Sequence, residues 1–141
     1  MISYRCVLVI FSLNLFSVSQ AFSANEIFNS MHQDTPLRTM QSMIDGIKDC
    51  KNGDISRCRE LRTLCHPKGD NDVWMICGMA NASTDEKQEI YSFGASISLG
   101  AEIINDSDGL VHFTFGIKVD NRRHEYMHLV LEDGKWFISS F

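Results

Sequence analysis

After residue 21 the sequence has no apolar run long enough to cross a membrane, since a spanning helix needs about 20 apolar residues. It also lacks an excess of positive charge, because its formal net charge is −5. The charge is uneven: residues 48–68 hold six cations and three acids, whereas residues 69–141 hold five cations and twelve acids. Nucleic-acid binding needs a basic surface, so we expect no nucleic acid as a partner. Because no long apolar run follows residue 21, we also expect no membrane insertion of that part of the chain. The acidic part would suit a basic partner.

Motifs that carry catalysis or hold cofactors are also lacking. The sequence has no phosphate-binding loop, no GxSxG turn and no Ser-His-Asp spacing typical of a hydrolase. Its cysteines form no CxxC pair, which zinc sites commonly use. We therefore predict a protein that is not an enzyme, with no catalytic residues, no metal site and no cofactor.

The first 21 residues have the layout of a secretory signal peptide. One cation, Arg5, precedes an apolar run over residues 6–16, and small residues around Ala21 permit cleavage after it or two residues later. A membrane anchor is the alternative, but the apolar run is short for one. We predict a signal peptide over residues 1–21 and a single domain over residues 22–141, located in the periplasm or secreted.

Four cysteines remain after the predicted cleavage, and an even number in a small exported domain implies two disulfides. Cys58 and Cys65 fall within one predicted helix, about 10 Å apart, which is too far for a disulfide. Cys50 ends the preceding helix and lies closer to Cys58 than to Cys65. We therefore predict the pairs Cys50–Cys58 and Cys65–Cys77, with a four-cysteine zinc site as the disfavoured alternative.

Helix signals recur over residues 22–93, the predicted helical part of the domain. Thr35 before Pro36 is typical of a helix start, Asp54 suits an N-cap, and Ser83 opens a capping box. We predict helices over residues 25–33, from Pro36 to about Cys50, over residues 55–66, and from Ser83 to about Phe93.

The helix predicted over residues 55–66 has an apolar and a charged face. The residues of this helix expected to point inward are Ile55, Cys58, Leu61, Leu64 and Cys65, and those expected to face mostly outward are Arg57, Arg59 and Arg62.

Residues 73–80 fit a buried strand and a helical turn equally well.

Residues 95–141 alternate apolar and polar side chains between turn signals, which predicts a four-stranded antiparallel meander. Asp133-Gly134 specifies a two-residue hairpin loop, because both positions need positive φ. The pairs that this turn predicts are Glu132 with Lys135, Leu131 with Trp136, Leu129 with Ile138, and Met127 with Ser140. The residues of the first two strands expected to point inward are Ile97, Leu99, Ala101, Ile103, Val111, Phe113, Phe115, Ile117 and Val119.

A three-residue loop over residues 120–122 would place Phe115 opposite Met127 and Phe113 opposite Leu129. This register keeps the apolar residues on one layer, whereas a slip of one residue would expose them.

The second face of the predicted sheet is too apolar to be simply solvated. A further part of the chain, a second subunit or a ligand would cover it. His112 and His128 could bind a metal or move protons if an acid joined them, and Glu102 is the acid in the matching phase, but packed or interface histidines are favoured. The candidate binding residues on this face are His112, Thr114, Tyr126, His128, Val130 and Phe137.

Helices followed by a meander that ends in Glu-Asp-Gly-Lys-Trp-Phe-Ile resemble the cystatin-like, nuclear-transport-factor-2-like superfamily. The small exported bacterial members of unassigned function are the most similar. The resemblance covers residues 90–141 and is carried by Leu131–Ser140. It implies an α+β fold in which N-terminal helices pack on a curved four-stranded sheet to form a cone. In that superfamily the cone can be a small-molecule pocket, an enzyme site or a filled core, and the sheet often forms a dimer interface.

These features favour a non-enzymatic binding or interaction protein of the bacterial envelope. The second sheet face would meet a protein partner or a second copy of the chain, and a small apolar ligand is compatible with the cone. One alternative is a periplasmic immunity or inhibitor protein that neutralises a toxin or hydrolase. Another is an isomerase-like enzyme that uses the cone pocket, in which Tyr126 and His128 would be the residues to test.

Overall fold

The computed structural model describes residues 31–116 and 123–140, without the side chains of Arg123 and His124. Over this part the chain forms helices first and then a sheet of order β1-β2-β3-β4, with every neighbouring pair antiparallel. The predicted α+β fold class, helices on a four-stranded meander, is therefore confirmed. The elements are α1 Pro36–Lys51, α2 Ile55–Glu60, a 3-10 helix Leu61–Leu64, α3 Asn71–Cys77, a 3-10 helix Met79–Asn81, α4 Thr84–Ser96, β1 Ser98–Asn105, β2 Asp108–Phe115, β3 Arg123–Glu132 and β4 Lys135–Ser140.

Several predictions fall on residues outside this description. They are the signal peptide over residues 1–21, most of the helix over residues 25–33, the inward positions Ile117 and Val119, and the loop over residues 120–122. The end of the predicted first helix is described, and it is wrong: residues 31–33 are not helical.

The three predicted helix starts that lie within the described residues are confirmed. Thr35 caps α1 by accepting a hydrogen bond from the Arg38 N–H, and Pro36 is the first helical residue. The Asp54 side chain accepts from the Arg57 N–H at the start of α2. At the start of α4, Ser83 and Glu86 form a reciprocal capping box, in which each side chain accepts from the other residue's backbone N–H.

The predicted helix over residues 55–66 is corrected in three respects. It is α-helical only to Glu60 and continues as a 3-10 helix to Leu64. Ile55 is 64% exposed, so it does not point inward. Arg57 is buried, at 4% exposure, because its guanidinium lies between the carboxylates of Asp49 and Glu60. Farther along the chain, the ambiguous residues 73–80 prove helical, in α3 and the 3-10 helix after it.

Both predicted disulfides are present. Cys50 is bonded to Cys58, with 4.9 Å between their Cα atoms, and this bond ties the end of α1 to α2. Cys65 is bonded to Cys77, with 6.2 Å between their Cα atoms, and this bond ties the residue after the first 3-10 helix to the end of α3. The helical part is therefore cross-linked at two successive joints.

The hairpin of β3 and β4 follows the predicted register near its turn. Asp133 and Gly134 have φ of 50° and 74°, and Glu132–Lys135, Leu131–Trp136 and Leu129–Ile138 are all paired. The predicted pair Met127–Ser140 is wrong, because an irregularity between His128 and Leu129 places His128 opposite Ser140. Leu131 is 38% exposed, whereas its partner Trp136 is buried.

The predicted register of β2 and β3 is wrong by four residues. Met127 lies opposite Val111 instead of Phe115, and Phe113 lies opposite Glu125 instead of Leu129. The last pair within the described residues is Phe115 with Arg123. Because the shift is an even number, every side chain keeps its predicted face.

A bulge in β1 reverses the predicted phase of that strand. Leu99 is paired with Phe113, but the next pair is Glu102 with Val111, so an extra residue lies between them. Ala101 and Ile103, predicted inward, are exposed, and Ile103 is 56% exposed. Glu102 instead turns towards the helices and contacts the start of α1.

The core lies between the helices and the inner face of the sheet, which is the face that carries Val111. The buried apolar side chains of the described strands all lie on this face. They are Val111, Phe113, Met127, Leu129, Trp136 and Ile138. The opposite side, called the outer face below, is where the candidate binding residues belong.

Candidate functional site

The outer face is formed by alternate residues of β2, β3 and β4. His112 lies opposite Tyr126, with ring centroids 5.3 Å apart, and Val130 lies opposite Phe137. Tyr126 is 49% exposed, which is high for a large aromatic ring on a sheet. All six predicted residues share this face, namely His112, Thr114, Tyr126, His128, Val130 and Phe137.

Sequence reasoning missed two contributors from β1. Ile103 lies opposite Leu110 and reaches the outer face only because the bulge reverses the strand's phase. Gly100 lies beneath His112: a Cβ atom at this position would meet the His112 Nδ1 at 2.6 Å. The signal that could have indicated this close approach is a glycine inside a predicted strand.

A segment from the helical part borders the outer face. The backbone of Cys65 forms an isolated parallel β-bridge with that of Ile138, and the His66 N–H donates to the Ile138 carbonyl at 2.8 Å. The Asp70 N–H donates to the Ser139 carbonyl. The His66 ring lies edge-on to Phe137, with centroids 6.2 Å apart, and its Nε2 is 3.0 Å from Glu132 Oε2. His66 is thus a border residue of the outer face rather than only the end of a helix.

The two histidines of the outer face are not joined by the predicted acid. Glu102 lies on the inner side of β1, where its carboxylate accepts a hydrogen bond from the Leu37 N–H at 2.8 Å. Among the described residues no group of three or more His, Cys, Asp or Glu side chains is placed to hold a metal ion. The arrangement of aromatic, imidazole and aliphatic groups is suited to contact with another surface.

The inner pocket is a second candidate site, a cavity of about 420 Å³ between α3, α4 and the inner face of the sheet. Phe93 lines this pocket and packs against Phe113 and Phe115, with ring centroids 6.2 and 6.0 Å away. Its size falls in the range of small-molecule sites. The residues that line it are Met75, Ile76, Glu89, Ile90, Phe93, Phe113, Phe115 and Glu125.

Two carboxylates give the inner pocket its polar character. Glu89 comes from α4 and Glu125 from β3, and both side chains are exposed. Neither one has a hydrogen bond or an ion pair within the described chain. The inner pocket can therefore combine burial of an apolar group with attraction of a positive charge. The sequence indicated such a pocket only through the cone that the resemblance implies.

No helix in the described ranges is both long and apolar enough to span a bilayer. The sequence matches no protein-family model and no curated protein. Among solved structures, the chain is similar to a Campylobacter jejuni protein provisionally named an NTF2-like transpeptidase, with 16% identity and a TM-score of 0.34 over 72% of this chain and 90% of that one. That name shares the NTF2-like label with the resemblance above, but a similarity this low assigns neither a family nor an activity to this chain.

Proposed function

We propose that this chain is a non-enzymatic interaction protein of the bacterial envelope and that its outer face binds a protein partner. The observation that carries the proposal is the apolar character of this face. Tyr126 and Ile103 are about half exposed there, beside half-buried Val130 and Phe137. Aromatic and aliphatic side chains that stay accessible together are typical of protein interfaces.

Charge indicates what kind of partner fits. The exposed acids Glu132 and Asp133 lie at the hairpin end of the outer face, in the half of the chain where acids outnumber cations. A partner with a basic rim around an apolar centre would complement this distribution. An immunity or inhibitor protein directed at a toxin or hydrolase is a specific form of the same proposal.

The location is part of the proposal. The two disulfides are compatible with an oxidising compartment, as in the periplasm or outside the cell. A signal peptide over residues 1–21 would deliver the chain there.

Site-specific photo-crosslinking in the source cell tests the outer face directly. A photoreactive amino acid at Tyr126 should give a discrete adduct with a partner protein, whereas the same group at exposed Gln88 on α4 should not. An adduct with twice the chain mass would identify a second copy of the chain as the partner. Equal labelling from both positions, or none from Tyr126, would contradict the proposal.

Once the partner is identified, charge substitutions test the two acids at the hairpin end of the outer face, Glu132 and Asp133. Asp133→Asn removes a charge while keeping a residue that tolerates the positive φ of the turn. Adding Glu132→Lys should weaken binding further and make it less dependent on salt. An unchanged affinity in both variants would place these two acids outside the interface.

A small ligand in the inner pocket is the second candidate function, supported by the aromatic lining and the carboxylates Glu89 and Glu125. An apolar molecule with a cationic group would satisfy both features. Native mass spectrometry of the mature protein from its own envelope fraction should then show an added small mass. Glu89→Gln combined with Glu125→Gln should remove it. A bare mass would count against a tightly held ligand.

An isomerase-like enzyme that uses the same pocket remains the alternative, but the two residues predicted for it, Tyr126 and His128, lie on the outer face and do not line that pocket. If an activity that depends on these two residues is detected, its site is therefore the outer face, and Tyr126→Phe and His128→Ala should abolish it. Retained activity in both variants would exclude these two residues from the chemistry.

A further inference from the structure

A second pocket, separate from the inner pocket, lies entirely within the disulfide-linked helical part of the chain. Its volume is about 400 Å³, which is large enough for a small organic molecule. The pocket shares no residue with the outer face or with the inner pocket. The residues of this arginine pocket are Arg59, Arg62, Trp74, Cys77, Gly78, Ala80 and Asn81.

Two arginines without acidic partners define its electrostatics. Arg59 and Arg62 are three residues apart across the end of α2 and the following 3-10 helix, so they project from the same side. Neither forms a hydrogen bond or an ion pair within the described chain, and no carboxylate lines the pocket. Neighbouring Arg57 differs, because it is buried between Asp49 and Glu60. The pocket therefore holds two guanidinium groups whose charges no described side chain compensates.

Apart from Asn81, the rest of the pocket lining is apolar, and close backbone packing holds it in place. Trp74 is half-buried, so one part of its indole is accessible. The Gly78 N–H donates to the Trp74 carbonyl at 2.8 Å, and a Cβ atom at Gly78 would lie 2.8 Å from that same oxygen. The disulfide from Cys77 to Cys65 fixes this end of α3. A wall that is fixed before binding loses little freedom when a ligand enters.

From this arrangement we propose that the arginine pocket binds a small organic anion, a carboxylate carried on a flat aromatic group. Guanidinium groups match carboxylates because their N–H donors form a planar fork that can engage both oxygens. The indole of Trp74 offers a flat apolar surface against which an aromatic ring can stack. The proposal is independent of the outer face, so either one can hold without the other.

Titration of the mature, disulfide-bonded protein with 2-naphthoate tests the proposal, with 2-naphthylmethylammonium as the probe of opposite charge. The chain has two tryptophans, so the two indole N–H signals in an NMR spectrum report on the pocket and on a reference site. Naphthoate should shift the Trp74 signal to saturation and leave the signal of buried Trp136 in place. The cationic probe should bind at least about tenfold more weakly, the difference expected from losing one charged hydrogen bond.

The matched variants are Arg59→Gln with Arg62→Gln, and Lys68→Gln as an exposed cation outside the pocket lining. The double variant should weaken naphthoate binding by about tenfold or more, and the lysine variant should leave it unchanged. Equal binding of the two probes by the unmodified protein would overturn the proposal, and this test needs no variant to fold. Full affinity in a folded double variant would overturn it as well.

Discussion

The carboxylate of Glu102 in β1 accepts a hydrogen bond from the backbone N–H of Leu37 in α1, with 2.8 Å between Oε2 and N. Leu37 is the second residue of the helix, and its N–H has no acceptor within the helix. α1 has no acidic residue in its own first turn, so the sheet supplies the negative charge that the positive end of the helix dipole favours. The bulge in β1 makes this contact possible.

Replacing Glu102 should therefore destabilise the fold although the residue is not in the hydrophobic core. We expect Glu102→Ala to lower the free energy of unfolding by about 1–2 kcal/mol, from the lost charged hydrogen bond at a helix start. Glu102→Gln keeps an acceptor and should lose less. Urea denaturation of both variants measures this: equal losses would show that a neutral acceptor does not replace the carboxylate, and a Glu102→Gln variant as stable as the unmodified protein would show that the charge does not contribute.

The buried guanidinium of Arg57 should depend on its two carboxylates. The double variant Asp49→Ala, Glu60→Ala leaves a 4% exposed cation without these partners, which we expect to lower the free energy of unfolding by about 3 kcal/mol. Asp45→Ala, on the exposed side of α1, is the matched control and should change it by less than about 0.5 kcal/mol. A double variant as stable as the control would mean that Arg57 finds other partners or reaches solvent.

The two disulfides should each stabilise the domain by a comparable amount. They close loops with sequence separations of 8 and 12 residues, and the chain-entropy model gives about 2.5–3 kcal/mol for each bond. Paired Cys→Ser variants, Cys50 with Cys58 and Cys65 with Cys77, measure each contribution by denaturation. Non-reducing peptide mapping checks the pairing, and recovery of Cys50 linked to Cys65 would contradict it.

The capping box of α4 should make the stability of the protein depend on pH. Hydrogen bonds from the backbone N–H and the hydroxyl of Ser83 hold the pKa of Glu86 below its ordinary value of 4.5. Because the folded pKa is lowered, the stabilisation is complete above the ordinary value and is lost as the pH falls through the lowered pKa. Unfolding of the unmodified protein and of Glu86→Gln, followed from neutral to acidic pH, should show a pH-dependent difference. A constant difference would remove Glu86 from the linkage.

Local signals in the sequence predicted the features that depend on a few adjacent residues. The cap at Thr35, the capping box at Ser83 and the Asp133-Gly134 turn all occur as expected, because each is decided by backbone conformation and hydrogen bonds within one turn. The pairings Cys50–Cys58 and Cys65–Cys77 also followed from the sequence, since the rise of the predicted helix excludes a Cys58–Cys65 bond and places Cys50 closer to Cys58 than to Cys65.

The sequence predicted the outer face but not the two pockets, because it reports on adjacent residues and not on contacts between separate elements. Strand alternation alone assigned the six candidate binding residues to the outer face, because an error of four residues in register leaves every side chain on its face. The inner pocket and the arginine pocket each join residues from separate elements, such as Arg62 with Trp74, which no local pattern brings together.

By itself, therefore, the sequence determined the order of elements outside residues 73–80, the disulfide partners and the face that each described residue of β2 and β3 occupies. Only the tertiary structure decided that Arg57 is buried between two acids, that Ile103 reaches the outer face, and that Glu102 turns inward. A bulge adds one residue and reverses a strand's phase without a clear sequence signal, and a charge is buried only where partners from other elements meet it.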